Sequence, residues 1–177
     1  RVCPPGDEIA RPDGETAVAG DNDGVLTLLD LSQGKIIQRL EGHDGAVTDL
    51  AFSPDGQQIL SGSADTTMIL WDAATGEALQ TFTGSDSAVV GVAFLPAGDA
   101  VLSTGGYTIR QWDAATGEEL QRRKMGDSTE KTAIAPDGHT VFHVSGPAMY
   151  TWNLDEWQAP HRKLFGHEDI IHPLQFS

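Results

Sequence analysis

Residues 71–80 read WDAATGEALQ, and residues 112–121 read WDAATGEELQ. The two decapeptides agree at nine of ten positions and begin 41 residues apart. An enzyme rarely needs the same decapeptide twice, whereas a repeat architecture places the same turn in every structural unit. The pair therefore indicates a chain built from repeated units, each of which buries one face against its neighbours.

Other markers keep the same phase along the chain. Turn tetrapeptides with proline are RPDG at Arg11, SPDG at Ser53, LPAG at Leu95 and APDG at Ala135. The tryptophan position of the repeat reads Leu29, Trp71, Trp112 and Trp152, and a glycine recurs at Gly42, Gly84, Gly126 and Gly166. We therefore divide the chain into the units 12–53, 54–95, 96–135 and 136–177. Residues 1–11 are assigned to the end of a preceding strand or to a linker.

Each unit contains four short runs that are typical of antiparallel strands. In the second unit, AVTDLAFS places Val47, Leu50 and Phe52 in an apolar set, and the runs QQILSGS, TMILWD and ALQTFTG follow. The runs are rich in Val, Ile, Thr and aromatic residues and are bounded by turn residues. Four strands per unit, stacked radially, predict an all-β propeller with about four blades of four antiparallel strands.

The sequence FSPDG, preceded by Gly-His and followed by SGSADTTMILWD, resembles the WD40-repeat family. The resemblance covers nearly the whole chain and is most specific in the second unit; the WDAATGE copies resemble the bacterial style of this repeat. WD40 propellers commonly close with seven or eight blades, so the resemblance implies an arc of a larger ring. The remaining blades would come from a longer polypeptide or from a second copy, and a closed four-bladed ring is a third possibility.

The resemblance also implies a structural hydrogen-bond network of His43, Ser61, Asp65 and Trp71, with Ser63 as an alternative to Ser61. Ser, His and Asp together can also form a nucleophilic site, but no Gly-x-Ser-x-Gly elbow surrounds either serine. We therefore expect a structural role and no catalytic residues. Only the second unit has the full set; the other units depart from it at Leu29, Ser85 and Asp127.

Composition limits the partners. The net charge of −15 argues against nucleic acid as the main partner, because phosphate binding depends on Lys and Arg. The chain has one cysteine, Cys3, which excludes an internal disulfide framework, and no apolar run long enough to predict a membrane span. We expect no cofactor and no metal site, since the acidic GDNDG stretch at Gly20 lacks the glutamate that ends an EF-hand loop. The basic QRRK stretch at Gln121 is interpreted as a solvated strand edge.

These features favour a non-catalytic interaction scaffold that binds a protein or peptide partner, with the acidic surface favouring a basic one. Candidate partner-binding residues in the loops are Asp44, Ala64, Tyr107, Pro147 and Trp157. The two aromatic side chains would serve as interface anchors or pack beneath their own loops. The alternative is a sensory or regulatory propeller domain of a larger enzyme or redox protein whose active domain lies outside this segment. An enzyme that uses the central channel is the weakest hypothesis.

Overall fold

The computed structural model describes residues 8–125, 131–135, 139–145, 148–157 and 162–164. These residues form sixteen β-strands, one 3-10 turn and no α-helix. All four sheets are antiparallel, and each contains four strands in the order of the chain. The all-β prediction with four strands per blade is therefore confirmed.

The first two sheets contain the most regular repeats. The first comprises β1 (Glu8–Ala10), β2 (Thr16–Gly20), β3 (Val25–Asp30) and β4 (Lys35–Glu41). The second comprises β5 (Val47–Phe52), β6 (Gln58–Ser63), β7 (Met68–Asp72) and β8 (Ala78–Phe82). We refer to the sheets as blades one to four in chain order.

The other two sheets repeat this plan. The third comprises β9 (Gly91–Phe94), β10 (Ala100–Gly105), β11 (Thr108–Asp113) and β12 (Glu119–Lys124). The fourth comprises β13 (Lys131–Ile134), β14 (Thr140–Ser145), β15 (Ala148–Asn153) and β16 (Arg162–Leu164). The first strands of consecutive blades adjoin one another, from β1 to β5, β9 and β13, so the blades form an arc of a propeller.

The hydrophobic core lies between the blades rather than inside any one of them. One cluster joins Leu28 and Leu40 of blade one to Ile69 and Trp71 of blade two. A second cluster, which includes Trp112, joins blades two and three, and a third, which includes Trp152, joins blades three and four. Each blade therefore depends on its neighbour to bury its apolar face, as expected for a repeat protein.

The repeated WDAATGE sequence forms a tight turn between the third and fourth strands. Asp72 Oδ1 accepts hydrogen bonds from the backbone N–H groups of Ala74 (2.9 Å) and Thr75 (2.8 Å). These donors hold the pKa of Asp72 below its usual value, because they stabilise the carboxylate. Gly76 closes the turn with φ +72°, a conformation that favours glycine. Asp113 and Gly117 repeat the arrangement in blade three.

The same turn docks onto the outer strand of the preceding blade. Gln38 of β4 donates its side-chain N–H to the carbonyl of Thr75 at 2.8 Å. A Cβ at Gly76 would clash with this amide and with Leu40, and a Cβ at Gly117 would clash with Gln80 of β8. The two glycines thus permit both the backbone conformation and the contact between blades.

Blade four ends its third strand differently. A 3-10 turn spans Leu154–Glu156, and Asn153 Oδ1 accepts a hydrogen bond from the Asp155 N–H at 2.7 Å. This turn stands where blades two and three have their Ala-Thr-Gly turn.

None of the helical segments among the described residues is long and apolar enough to cross a membrane.

We expect Gly76→Ala to destabilise the fold more than Gly98→Ala. Both residues have a positive φ, 72° and 76°, but nothing lies within 4 Å of a Cβ at Gly98. Gly98→Ala should cost about 1–2 kcal/mol for the backbone conformation alone. Gly76→Ala should cost about 0.5–1.5 kcal/mol more, because the Gln38 amide must move away and lose its hydrogen bond to the Thr75 carbonyl. Denaturant unfolding would measure both variants, and equal losses would contradict the proposed docking of the turn.

Candidate functional site

The structure brings His43, Ser61, Asp65 and Trp71 together in blade two. Trp71 Nε1 donates to Ser61 Oγ at 2.8 Å, and Ser61 Oγ lies 2.7 Å from His43 Nε2. His43 Nδ1 lies 3.0 Å from Asp65 Oδ2. With His43 neutral and protonated at Nδ1, every member of this chain has a donor or acceptor matched to its neighbour.

These four side chains come from separate elements, which the network joins. His43 lies in the connection from β4 to β5, Ser61 on β6, Asp65 in the turn from β6 to β7, and Trp71 on β7. Antiparallel pairing of β6 with β7 places Ser61 opposite Ile69, two residues before Trp71. The indole can therefore reach back across the pair to the serine hydroxyl.

Asp65 anchors the exposed end of the network. Its Oδ2 also accepts from the Asp44 N–H at 2.9 Å, and its Oδ1 accepts from the N–H (2.8 Å) and hydroxyl (2.6 Å) of Thr67. Partial burial tends to raise the pKa of Asp65, but the hydrogen bonds from Thr67, Asp44 and His43 together lower it below its usual value. Asp65 is therefore a carboxylate at neutral pH and holds the loop that contains Asp44.

Burial keeps His43 neutral. It lowers the pKa of the imidazole from 6.5, and the nearby Asp65 offsets only part of that effect. Ser61 is 0% exposed, and its hydroxyl is already engaged by Trp71 and His43. This geometry favours a structural role for the four residues over nucleophilic catalysis.

Among the described residues, only blade two has all four groups. Blade one has Ala19 at the position of Ser61 and Leu29 at the position of Trp71. Blade three keeps one hydrogen bond, from Trp112 Nε1 to Ser103 Oγ at 2.9 Å. Blade four places His143 at the serine position.

The aromatic groups of blade four pack in place of the serine contact. The ring of His143 stacks on Tyr150 with centroids 4.7 Å apart and lies edge-on to Trp152 at 5.5 Å. His143 and Trp152 are both buried. Blade four is therefore stabilised by ring packing where blade two uses a serine hydroxyl.

Blade three contains an ion-pair cluster that sequence reasoning missed. Arg110 is only 2% exposed, and its guanidinium contacts Asp86 at 2.6 Å, Glu119 at 3.1 Å and Ser85 at 3.3 Å. Ser85 stands at the position of His43, so the arginine holds the connection that the histidine holds in blade two. The signal in the sequence is an arginine within the third-strand segment TIRQWD, where the second unit has Ile69.

Three of the candidate partner-binding residues lie at one end of the blades. Ala64 and Asp44 are exposed, and the Ala64 N–H donates to the Ala46 carbonyl at 2.9 Å, which joins their two loops. Tyr107 is 61% exposed in the short turn between β10 and β11. That turn packs on the connection before β9, where Val89 N–H donates to the Ser63 carbonyl beside Ala64. Pro147 lies outside the described residues.

Of the two alternatives for Trp157, an interface anchor and packing beneath its own loop, the structure supports the second. Its side chain is 7% exposed and packs with Leu102, Met125 and Trp152 in the core between blades three and four. Its carbonyl accepts a hydrogen bond from Arg123 Nη1 at 2.9 Å. Because this residue follows the 3-10 turn of blade four, it packs beneath its own loop instead of facing solvent.

No group of three or more metal-binding side chains capable of holding an ion occurs among the described residues. In the GDNDG stretch, Asp21 Oδ1 accepts from the N–H groups of Asp23 and Val25, both at 2.9 Å. The acidic side chain of Asp21 thus closes the turn between β2 and β3.

Comparison with known protein families agrees with the repeat assignment. Residues 34–72 and 76–113 match the family model for the WD domain, G-beta repeat. The first match covers β4 through β7, and the second covers β8 through β11. No curated protein matches this sequence.

We expect Ser61→Ala to destabilise the fold more than the matched change Ser103→Ala. Ser61→Ala removes the partner of both Trp71 Nε1 and His43 Nε2, whereas Ser103→Ala leaves only the Trp112 N–H unpaired. Each buried group left without a partner costs about 1–3 kcal/mol, so the losses should be about 2–6 and 1–3 kcal/mol. Denaturant unfolding would measure them, and a larger loss for Ser103→Ala would contradict the network's importance.

We also expect the free energy of unfolding to decrease as the pH is lowered, because of His43. The unfolded chain takes up a proton at this residue near pH 6.5, while the folded state takes it up only at a lower pH. Unfolding is therefore favoured as pH falls below about 6.5, with a slope of at most about 1.4 kcal/mol per pH unit from one group. Asp65 titrates below its ordinary value of 3.8 and so contributes in a separate, lower range.

Unfolding free energies measured between pH 7 and 5 would test this expectation. His43→Gln should reduce the slope, and the exposed His139→Gln serves as the control. If the wild type and His43→Gln show the same slope, burial of a neutral His43 is refuted.

Proposed function

We propose that this chain, as a WD40-repeat protein, is a non-catalytic scaffold that binds protein or peptide partners through the loops at one end of its blades. WD40 repeats generally mediate protein interactions and are typically non-catalytic. The surface that we assign to binding is formed by the connections before β5 and β9 and by the turns from β6 to β7 and from β10 to β11. We call it the loop face.

The single observation that carries the proposal is an exposed aromatic side chain on an ordered surface. Tyr107 is 61% exposed in a turn of only two residues, between the paired Gly105 and Thr108. A tyrosine in a short turn loses little conformational entropy on binding and offers both an apolar ring and a hydroxyl. The contacts of Asp65 and Arg110 hold the neighbouring loops in place, so the binding surface is preorganised for a partner.

Charge supports a basic partner. Asp44 and Asp86 are exposed on the loop face. The chain as a whole has a net charge of −15, which would accelerate association with positively charged segments. We therefore propose a partner segment in which Lys or Arg residues flank an apolar or aromatic group that packs on Tyr107.

Peptides selected from a random library against the immobilised full chain would test the proposal. Their affinities would be measured for the wild type, Tyr107→Ser, Asp44→Asn and, as the control, Glu77→Gln. Glu77 is exposed in the turn from β7 to β8 at the opposite end of blade two, so this change removes the same charge away from the loop face.

We expect the selected peptides to be basic and to bind Tyr107→Ser about tenfold or more weakly, as for an interface hot spot. Asp44→Asn should weaken binding most at low salt, where charge attraction is least screened. Glu77→Gln should bind like the wild type. Equal binding by all four proteins would show that the loop face is not the binding surface.

A further inference from the structure

The four blades meet at three junctions, numbered in chain order. The contacts at the third junction, between blades three and four, differ from those at the first two. At the first junction, Gln38 of β4 donates to the Thr75 carbonyl, and Gly76 lies against its amide. At the second junction, Gly117 lies against the amide of Gln80 in β8. In both cases, a turn from the following blade covers a glutamine on the outer strand.

The third junction has the glutamine without the glycine turn. Gln121 of β12 is paired opposite Gln111 of β11, just as Gln38 is paired opposite Leu28 and Gln80 opposite Leu70. Blade four has the 3-10 turn Leu154–Glu156 in place of a Thr-Gly turn. The Gln121 amide instead points toward Gln111 Oε1, at the long distance of 3.5 Å.

A cavity of about 540 Å³ lies at this junction. Its lining includes the side chains of Leu95, Gln111, Gln121, His139, Leu154 and Asp155. The volume is within the range of about 300–1,000 Å³ that is usual for ligand sites. Gln111 replaces leucines that are buried at the other two junctions, Leu28 and Leu70, so the cavity has two amide groups on one wall.

We propose that this cavity binds a glycine-containing peptide turn from a partner protein, in the position that the Thr-Gly turn occupies at the other two junctions. The chemistry follows from those junctions. At the first junction the Gln38 amide donates to the Thr75 carbonyl of the docked turn, whereas Gln80 donates to the Thr81 carbonyl of its own strand. At both junctions the glycine of the turn has no Cβ, and the glutamine amide occupies that space. Gln111 adds a second amide that can pair with the peptide backbone, and Leu95 and Leu154 accept an apolar neighbour.

The charge at the rim of the cavity favours a peptide with a basic residue. Asp155 is largely exposed and contacts His139 Nδ1 at 3.0 Å. A lysine or arginine beside the glycine would lie near this carboxylate and meet an acidic protein surface. The cavity is at the end of the blades opposite the loop face, so this second site does not depend on the function proposed above.

The test uses the peptide AATGKAL, which copies residues 73–79 except that lysine replaces Glu77 to complement Asp155. The comparison peptide AATVKAL has valine in place of the glycine. Each would be titrated into the isotope-labelled full chain up to about 5 mM, a range that detects weak contacts. The side-chain amide signals of Gln111 and Gln121 report occupancy by NMR, and the signals of the Tyr107 turn report the loop face.

We expect saturable shifts at Gln111 and Gln121 with AATGKAL and about tenfold weaker binding of AATVKAL. Gln121→Glu keeps the size of the side chain but loses the N–H donor, and it should weaken binding by about tenfold. The matched control Gln80→Glu changes the same residue where a turn is already docked and should leave binding at the third junction unchanged. The amide spectra of both variants would show that they are folded.

Three outcomes would overturn the proposal. They are the absence of shifts at Gln111 and Gln121 at the highest peptide concentration, equal binding of the valine peptide, and shifts confined to the Tyr107 turn. The last would leave the loop-face proposal intact and remove only the second site.

Discussion

The hydroxyl of Ser61 is the buried point at which the polar network of blade two joins its third strand to the connection from blade one. It accepts from the Trp71 indole and pairs with His43, which in turn pairs with Asp65. Because His43 belongs to the connection from blade one, the network fixes the path of the chain between two sheets. The loop that contains Asp44 is held by the same network, so the surface for a partner is set by a contact buried well beneath it.

The near-identity of the two decapeptides has a physical explanation. In WDAATGEALQ, Trp71 packs toward blade one, Asp72 closes the turn, and Gly76 accommodates Gln38 of the preceding blade. Gln80 then lies against Gly117 of the following blade. One short segment therefore contacts the blades on both sides, and most of its positions are constrained by a turn, a packing contact or a hydrogen bond. The glutamate is the same in both copies, as Glu77 and Glu118. The copies differ at the next position, where Ala78 corresponds to Glu119, because Glu119 forms an ion pair with Arg110.

The features that could be predicted from the sequence are those that recur with the repeat. The strand order and the turns follow from periodic residues, and the positions of His43, Ser61, Asp65 and Trp71 follow from their places in the most regular unit. Arg110 and the cavity at the third junction could not be predicted in this way. Both arise where one unit departs from the pattern, and the consequence of such a departure depends on which side chain faces it from the next sheet. The burial of Trp157 is one of two alternatives that the sequence leaves open, and the sequence cannot decide between them because Trp157 follows a turn that the other units do not have.

Each blade buries an apolar face against the blade that follows it in the chain, so these faces are covered in a fixed order during synthesis. The carbonyl that receives the Gln38 amide is 37 residues further along the chain, and the apolar partners of Leu28 and Leu40 come from the same later segment. The N-terminal part of a chain leaves the ribosome first. A newly emerged blade therefore exposes one apolar face until the next blade has left the ribosome. At each stage of elongation, the most recently completed blade of the nascent chain therefore has one exposed apolar face, which the next blade then covers.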